Sequence, residues 1–491
     1  MSYFILLPIV FPVLSGIFLL VRGEMKSRKN LLAVTGGLLV ITALLAVLAL
    51  AFGRGEMLLL FDLTQTLPVL FKIDDMGMVF AVVAVLVFVC AGFFSFEYMK
   101  HEAHERRYYG FYLIVFGILM ALCFAGNLVT FYLFFEILTL SSMTLVLHSG
   151  SKEAVMAGLK YLFYSLCGAY MVLFGFYFLS HYANTLSFSE GSVLNPDLTA
   201  GHTGLLCAAA FAMILGFSVK AGMFPMHAWL TAAHPAAPAP ASAVLSAVIV
   251  KAGVLGIIRV VYYLFGASFL RDGWVQRVWM VLALVTIFMG SLLAYREPVL
   301  KKRLAYSTVS QVSYILYGLA VMDGDALAGG VLHVICHSLV KAVLFLCAGV
   351  LIYRTGKTRV DELRGVGKEM PCLMWCYTIA ALGLIGIPPT GGFISKWYLA
   401  AGSLSSGIPG FSWIGPAVLL VSALLTAGYL LPIAICGFLP GDDFDYGKLV
   451  KKEPGGLMLA PILLLTVLSV LIGLFPNAVL DFIRQFSAGI L

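Results

Sequence analysis

Long apolar segments recur along the whole chain and limit its possible folds more than any other feature. They centre roughly on residues 3–21, 30–52, 76–97, 108–126, 127–147, 154–180, 204–223, 241–265, 274–294, 302–321, 327–352, 372–402, 413–438 and 457–479. Each approaches the roughly 20 residues that an α-helix needs to cross ~30 Å of hydrocarbon. Because 61% of the residues are hydrophobic and only 11% are charged, polar side chains are too few to cover a soluble protein of this size. We predict an all-α polytopic membrane protein with about 14 transmembrane helices.

Lysine and arginine are distributed unevenly between the loops that join these segments. Alternate loops, beginning with the first, carry 20 of the 31 basic residues, whereas the remaining loops carry five. Such an excess marks cytoplasmic loops. We therefore predict a multi-pass protein of the inner (cytoplasmic) membrane with both termini on the outer face. The first apolar segment has no basic region before it, which predicts an uncleaved helix.

Proline and glycine interrupt the seventh and twelfth segments. The seventh contains Gly222 and Pro225, and the twelfth contains the run from Gly386 to Gly392. Breaks at matching positions of two halves are typical of transport sites. Their separation of five spans predicts two five-helix repeats, inverted relative to each other because five is odd. The predicted divisions are 1–107, 108–265, 274–438 and 439–491, namely a three-helix segment, two repeats and a last helix.

Glu136 is the acidic residue that we place near the bilayer midplane. It has no charged neighbour between Asn127 and Leu147. A carboxylate at that depth costs about 2.5–3.5 kcal/mol on insertion scales, so such residues usually serve a function.

Basic and imidazole side chains occupy comparable positions further along the chain. The candidates for ion or proton transfer are Lys220, His227, Lys251, His333, His337, Lys341 and Lys396. The spacing of His333, His337 and Lys341 by four residues stacks them on one helix face, over about 12 Å at 1.5 Å per residue. Imidazoles with bridging water relay protons along such a face. The alternative is that these side chains form a small polar face whose hydrogen bonds are satisfied by neighbouring helices.

Glu136 and Lys220 suggest a switch of proton affinity. Burial favours the neutral form of a lysine, and a nearby carboxylate favours the charged form. Separating the two would release a proton from the lysine, and restoring the pair would reload it. A static salt bridge that locks the fifth and seventh segments is the alternative, although desolvation offsets much of its attraction.

Several other polar residues receive a weaker assignment. His227 and His234 flank the first break, where they are placed to receive protons from the cytoplasm. His148, at the cytoplasmic end of the fifth segment, is assigned either proton entry or an interfacial position. Lys160 is assigned either this role or a lipid-interface position, and Arg259 is interpreted as structural, with its charge reaching the outer interface. None of the nine cysteines belongs to a CxxC motif, so no metal or redox cofactor is predicted in this chain.

Together these residues resemble the antiporter-like subunits of respiratory complex I, membrane-bound hydrogenases and Mrp-type sodium/proton antiporters. The resemblance extends from the second segment to the last, and its specific parts are residues 134–136, 220–230, 233–242, 250–253, 333–341 and 386–396. It implies 14 helices with two inverted five-helix repeats and broken helices 7 and 12. It also implies functional roles for Glu136, Lys220, Lys251 and Lys396, with His333, His337 and Lys341 as the polar stripe of the eleventh helix.

Residues 233–242 resemble the hydrogenase and complex I branch more than the Mrp branch. The resemblance therefore implies a subunit without its own redox centre, which couples redox chemistry in partner subunits to proton movement. The chain resembles the 14-helix subunits that lack a long lateral extension. A sodium/proton exchange subunit of an Mrp-type antiporter is the alternative, although one mid-membrane carboxylate offers few ligands for sodium. An enzyme that binds quinone itself is a third.

Overall fold

The computed structural model describes residues 2–23, 25, 27–441, 444–445 and 450–491, and most of them are helical. Two of the basic loop residues, Lys26 and Lys448, lie outside the described residues. The helices of the first half are α1 (Leu7–Val21), α2 (Arg28–Phe52), α3 (Asp75–Tyr98), α4 (Glu105–Cys123), α5 (Leu128–Val146), α6 (Lys152–Tyr182), α7 (Pro196–Thr199), α8 (Thr203–Ala221), α9 (Ala228–Ala236), α10 (Ala239–Val244) and α11 (Lys251–Ile258).

The second half continues in the same way. Its helices are α12 (Ala267–Leu270), α13 (Trp274–Arg296), α14 (Leu300–Val321), α15 (Gly324–Thr355), α16 (Val366–Glu369), α17 (Pro371–Ile385), α18 (Gly391–Ser405), α19 (Phe411–Phe438), α20 (Gly456–Leu474) and α21 (Asn477–Ile490). Helix α10 continues through a π-helical turn, Leu245–Ile249, into α11, and a second π-helical turn, Arg259–Phe265, ends this stretch.

Twelve helices within the described residues are long and apolar enough to span a bilayer. The two other predicted segments correspond to α14, which is more polar, and to the interrupted pair α17 and α18. The chain is therefore an all-α polytopic membrane protein with about 12–14 candidate spans. Helix α14 tolerates its polar residues because almost its whole length is buried by neighbouring helices.

Both predicted breaks are present. Helix α8 ends at Ala221, and Gly222 follows with a φ of 79°. Helix α17 ends at Ile385, and Gly386 follows with a φ of 90°. Glycine adopts this left-handed conformation without a steric penalty and commonly ends helices in this way. The interrupted helices pack against long partners, α8 and α9 against α6, and α17 and α18 against α15.

An antiparallel hairpin between α2 and α3 was not predicted. Its strands are β1 (Met57–Thr64) and β2 (Leu67–Lys72), and Met57 pairs with Lys72. The sequence interpretation treated residues 53–75 only as a connection between spans. Two apolar runs separated by Gln65 and Thr66 are the signal that it overlooked.

Candidate functional site

Lys220 occupies the last turn of α8, directly before the first break. Its side chain is fully buried and its Nζ donates hydrogen bonds to Thr139 Oγ1 at 2.7 Å and to the Tyr161 hydroxyl at 2.7 Å. The Nζ also lies 5.3 Å from the centroid of the Phe135 ring. Helices α5 and α6 thus hold the ammonium with neutral oxygens and aromatic faces.

Glu136 lies one helical turn before Thr139 on α5. Its Oε1 is buried without a hydrogen-bond partner among the described residues. The direct ion pair that we predicted between Glu136 and Lys220 is not formed in this conformation, because the lysine reaches α5 one turn further along. Residues three apart on a helix are neighbours, so the carboxylate remains close to the ammonium without touching it.

Tyr161 is the site residue that sequence reasoning missed. Besides accepting from Lys220, its hydroxyl lies 2.7 Å from Ser142 Oγ, and its ring stacks on Trp229 at 4.5 Å between centroids. Tyr161 falls on the face of α6 that carries small buried residues such as Ala157 and Gly158. A tyrosine on such a packing face was the available signal, since a buried hydroxyl needs a partner.

Lys251 lies directly after the π-helical turn of the next span. Its Nζ donates to the Ser246 carbonyl at 2.7 Å, and the Val250 amide donates to Leu245. Such turns shift the backbone hydrogen bonds by one residue and often occur at functional sites. Here the shift lets a side chain bond to a backbone oxygen within the span.

Helix α14 lies between Lys251 and Lys341 and contacts the surroundings of both. Thr308 Oγ1 lies 2.8 Å from Ser246 Oγ, and the backbone carbonyl of Ser246 accepts a hydrogen bond from Lys251 Nζ. One turn earlier, the Leu304 carbonyl accepts from Lys341 Nζ at 3.0 Å, and Ser307 Oγ accepts from the same Nζ.

Gln311 lies one turn beyond Thr308 on α14. It is fully buried, and neither its Nε2 nor its Oε1 has a partner among the residues that the structure describes. Buried amides are almost always hydrogen-bonded, to protein or to water. The side chain is therefore suited to holding water inside the span.

The two histidines of the predicted stripe lie together inside α15. His333 Nδ1 lies 2.9 Å from Ser395 Oγ, and the rings of His333 and His337 stack with centroids 5.8 Å apart. Both are fully buried. Neither ring nitrogen of His337 has a hydrogen-bond partner in the described part of the chain.

Lys396 lies on α18 just after the second break and is partly buried. Its Nζ donates to the carbonyls of Leu384 at 2.6 Å and Ile385 at 3.0 Å, which belong to the last turn of α17. The last carbonyls of a helix lack intrahelical partners and carry partial negative charge. The Nζ also lies 4.7 Å from the ring centroid of Tyr314, which stacks on His333.

The histidines near the first break differ in accessibility. His227 lies directly before α9 and is partly buried, and its Nδ1 has no hydrogen-bond partner within the described ranges. His234 is fully buried and stacks on Phe345 at 4.7 Å. Lys160 is exposed on α6, beside a cavity of about 840 Å³ that is also lined by Pro235.

His148, beyond the end of α5, is poorly suited to collect protons. Burial, followed by the charge of Arg107, lowers the pKa of His148 to about 4. Its imidazole is therefore neutral at physiological pH. Arg107 Nη2 donates to the His148 carbonyl at 2.5 Å, which fixes the two residues together.

The Arg259 guanidinium reaches Asp74 at the start of α3, next to the loop predicted to lie on the outer face, but it is buried there instead of exposed to the interface. It is 1% exposed, and its guanidinium forms a two-contact ion pair with Asp74, including Nη2 to Oδ1 at 2.7 Å. The ring centroids of Phe188 and Tyr263 each lie 4.7 Å from its Cζ. The Asp74 carboxylate, which also caps α3, takes the place of the water that would otherwise solvate the Arg259 guanidinium.

No group of three or more His, Cys, Asp or Glu side chains within the described ranges is placed to hold a metal ion. All nine cysteines are free thiols.

Residues 125–426 match the family described as NADH:quinone oxidoreductase/Mrp antiporter, transmembrane region. Residues 63–109 match the N-terminal family of complex I chain 5. The chain belongs to the antiporter-like membrane subunits of the complex I, Mrp and membrane-bound hydrogenase family. The predicted family is thus confirmed, and the polar residues described above belong to a multi-pass member of it.

Relatives come from more than one branch of this family. An NADH-quinone oxidoreductase subunit of Desulforudis audaxviator is 34% identical over 394 residues, covering 78% of this chain and 77% of the relative. A Na(+)/H(+) antiporter subunit of Alkalihalophilus pseudofirmus is 27% identical over 493 residues, covering 100% of this chain and 98% of the relative. The two matches leave the type of complex open.

Solved structures share the fold over nearly the full length. A chain of the Mrp complex from Dietzia sp. DQ12-45-1b has a TM-score of 0.85 at 24% identity, covering 100% of this chain and 98% of that one. A chain of an archaeal membrane-bound sulfane sulfur reductase also has a TM-score of 0.85, at 22% identity, covering 99% and 97%.

Proposed function

We propose that this family member is a proton-translocating subunit of a multisubunit energy-converting complex, of the membrane-bound hydrogenase or NADH:quinone oxidoreductase type. It couples redox chemistry in partner subunits to transmembrane proton movement. Family membership supports a role in ion translocation. Similarity to chains of two multisubunit membrane complexes supports assembly with partner subunits.

The position of Lys220 is the observation that carries this proposal. Its ammonium bonds to Thr139 and Tyr161, one turn from Glu136, whose Oε1 has no partner in the described part of the chain. A small movement along α5 exchanges these neutral partners for the carboxylate. Such an exchange alters how strongly the lysine holds its proton.

Buried polar side chains extend from this pair toward the second break. Lys251 and Lys341 are joined through α14, where two Gln311 atoms have no partner among the described residues. His337 and His333 continue the series to Lys396. Because unpartnered buried polar atoms are costly, they favour water at these positions and a proton path through it.

The two broken helices support an inverted-repeat arrangement. The repeats would comprise residues 108–265 and 274–438, after an N-terminal segment of residues 1–107 and before a last segment of residues 439–491. Each contains a break that begins at a left-handed glycine, Gly222 or Gly386. Protons would enter from the cytoplasm near His227 and Lys160, and both termini would lie on the outer face.

Glu136 is the point at which partner subunits would act. It is only partly buried, unlike Lys220 and Lys251, so another subunit of the complex can approach it. A charge moved in that partner would change the pairing of Glu136 with Lys220. This gives redox chemistry a route to the proton path without a cofactor in this chain.

The test is proton pumping by the native complex in sealed vesicles. Glu136→Gln and Lys220→Ala should each abolish pumping while the partner subunits remain assembled. Lys357→Gln, which neutralises a lysine outside the spans, serves as the matched control. Wild-type pumping rates in both site variants would refute the proposal.

Sodium/proton exchange is the second candidate, supported by a full-length match to a subunit of a Na(+)/H(+) antiporter. Sodium prefers hard oxygen ligands, and Glu136 supplies one carboxylate at membrane depth. Vesicles would be given a sodium gradient and their internal pH followed. A pH change that requires sodium and is lost in Glu136→Gln favours exchange, whereas sodium-independent pumping favours the first proposal.

A further inference from the structure

A basic cavity opens between the ends of α2 and α4, on the face that carries most of the loop lysines and arginines. Its volume is about 460 Å³, and Ser27, Arg28, His104, Glu105, Arg106 and Arg107 are among its lining residues. Among the lining residues that the structure describes, three guanidinium groups accompany one carboxylate, so their net charge is positive. Residues Glu136, Lys220 and the rest of the proposed proton path take no part in it.

The arginines differ in how their charge is compensated. Arg28 pairs with Glu105 at 2.7 Å. Arg106 donates to the Arg22 carbonyl, and Arg107 donates to the His148 carbonyl at 2.5 Å. These contacts position the guanidinium groups of Arg106 and Arg107 but do not neutralise their charges. Each guanidinium keeps several further N–H donors.

An apolar groove adjoins this cavity. It has a volume of about 540 Å³ and is lined by Leu14, Ile17, Phe18, Val21 and Arg22 on the last turns of α1. The hydrogen bond from Arg106 to the Arg22 carbonyl joins the cavity to the groove, because Arg106 lines the cavity and Arg22 lines the groove. The Arg22 guanidinium carbon lies 5.2 Å from the centroid of the Phe18 ring, at the boundary between charge and hydrocarbon.

The groove has the orientation of an acyl chain. From Leu14 to Val21 it extends about 10 Å along the helix axis, at 1.5 Å per residue. One leaflet of the hydrocarbon core is about 15 Å thick, so the groove covers most of it. Leu14 and Val21 are 59% and 81% exposed, which leaves their surface available to a lipid.

We propose that this cavity and groove form a binding site for an anionic phospholipid, with its phosphate on Arg106 and Arg107 and one acyl chain along α1. Arginine forks bind phosphate oxygens with two parallel hydrogen bonds. Basic pockets between helices on the cytoplasmic side bind acidic headgroups. The combined polar and apolar chemistry selects a lipid over a soluble anion, which would use only the basic cavity.

The site is tested on the purified, delipidated complex by native mass spectrometry and thermal unfolding. Phosphatidylglycerol, phosphatidylcholine and inorganic phosphate are added separately. We expect phosphatidylglycerol to be retained and to raise the unfolding temperature, and the other two to do neither. Equal stabilisation by phosphatidylcholine, or full stabilisation by inorganic phosphate alone, would overturn the proposal.

Two variants locate the binding. Arg106→Gln with Arg107→Gln should weaken phosphatidylglycerol binding on the order of 30-fold, because each basic residue near an acidic headgroup contributes about fivefold. Lys152→Gln with Lys357→Gln removes the same charge elsewhere and should leave binding unchanged. If loss of the arginine contacts prevents assembly, Leu14→Trp tests lipid binding instead, because it fills the groove without altering the basic cavity. Wild-type lipid retention in Leu14→Trp would overturn the acyl-chain assignment.

Discussion

The lysines at the two breaks are held in different ways. Lys220 donates to side-chain hydroxyls on neighbouring helices and has a carboxylate one turn away. Lys396 donates to the final carbonyls of α17, the other half of its own interrupted helix. The partners of Lys220 can be exchanged by small side-chain movements, whereas the carbonyls near Lys396 are fixed by the backbone. On the proposed function, the region around Lys220 would respond to a neighbouring charge, and the region around Lys396 would pass the response on.

The largest expected effect is the loss of either lysine. Lys220→Met and Lys396→Met should each reduce proton pumping in vesicles by about 100-fold or more, because a proton relay tolerates no gap at a titratable group. Lys357→Met, outside the spans, is the control and should pump normally. Wild-type pumping by Lys396→Met would remove the second region from the path and break the comparison.

Arg259 gives a structural contrast to both lysines. Arg259→Met should lower the free energy of unfolding by about 2–3 kcal/mol, less than for a fully buried ion pair, because Asp74 loses its partner but is itself only partly buried. Thermal unfolding of the complex measures this.

The double variant Arg259→Met with Asp74→Asn should recover much of that loss, since no unpaired charge remains and the Asn side chain still caps α3. The assembled fraction should pump normally in both variants. A pumping defect in fully assembled Arg259→Met would place this arginine with the transport lysines.

The hydroxyl of Tyr161 tests how Lys220 is held. Tyr161→Phe removes one hydrogen bond to a charged group, worth about 1.5–3 kcal/mol, so pumping should change by about 10- to 100-fold. Tyr314→Phe is the matched variant in the second region. It keeps the aromatic ring beside Lys396 and should change pumping by no more than about twofold. Equal defects in both would show that the two lysines are held alike.

The smallest effect is expected at His148, at the end of α5 in the first region. The lowered pKa of about 4 means that folded His148 stays neutral while the unfolded chain takes up a proton near 6.5. Stability should therefore fall as the pH drops from 6.5 toward 4, by on the order of 1 kcal/mol at pH 5.

Thermal unfolding of wild type and His148→Gln at pH 7 and pH 5 checks this. The variant should lose less stability on acidification, and pumping at pH 7 should be unchanged. Loss of pumping in His148→Gln at pH 7 would make the histidine part of the entry path.

Sequence information was sufficient where a residue type is costly at membrane depth. Isolated charges correctly predicted polar side chains within spans at Glu136 and Lys251, and Pro/Gly runs predicted both breaks. It was insufficient where tertiary contacts decide the partner. The distance along α5 between Glu136 and Thr139 is one turn, and sequence alone does not show which of them Lys220 contacts. The Arg259–Asp74 pair joins residues 185 positions apart, so no local pattern indicates it.

The central proposal is that the pairing of the Glu136 carboxylate with Lys220 changes as the complex turns over. Infrared difference spectroscopy of the native complex, before and after electron donation, measures it directly. We predict a carboxyl band that appears or shifts on reduction, is absent in Glu136→Gln and is altered in Lys220→Met. A spectrum whose carboxyl region is identical in wild type and Glu136→Gln would contradict the account.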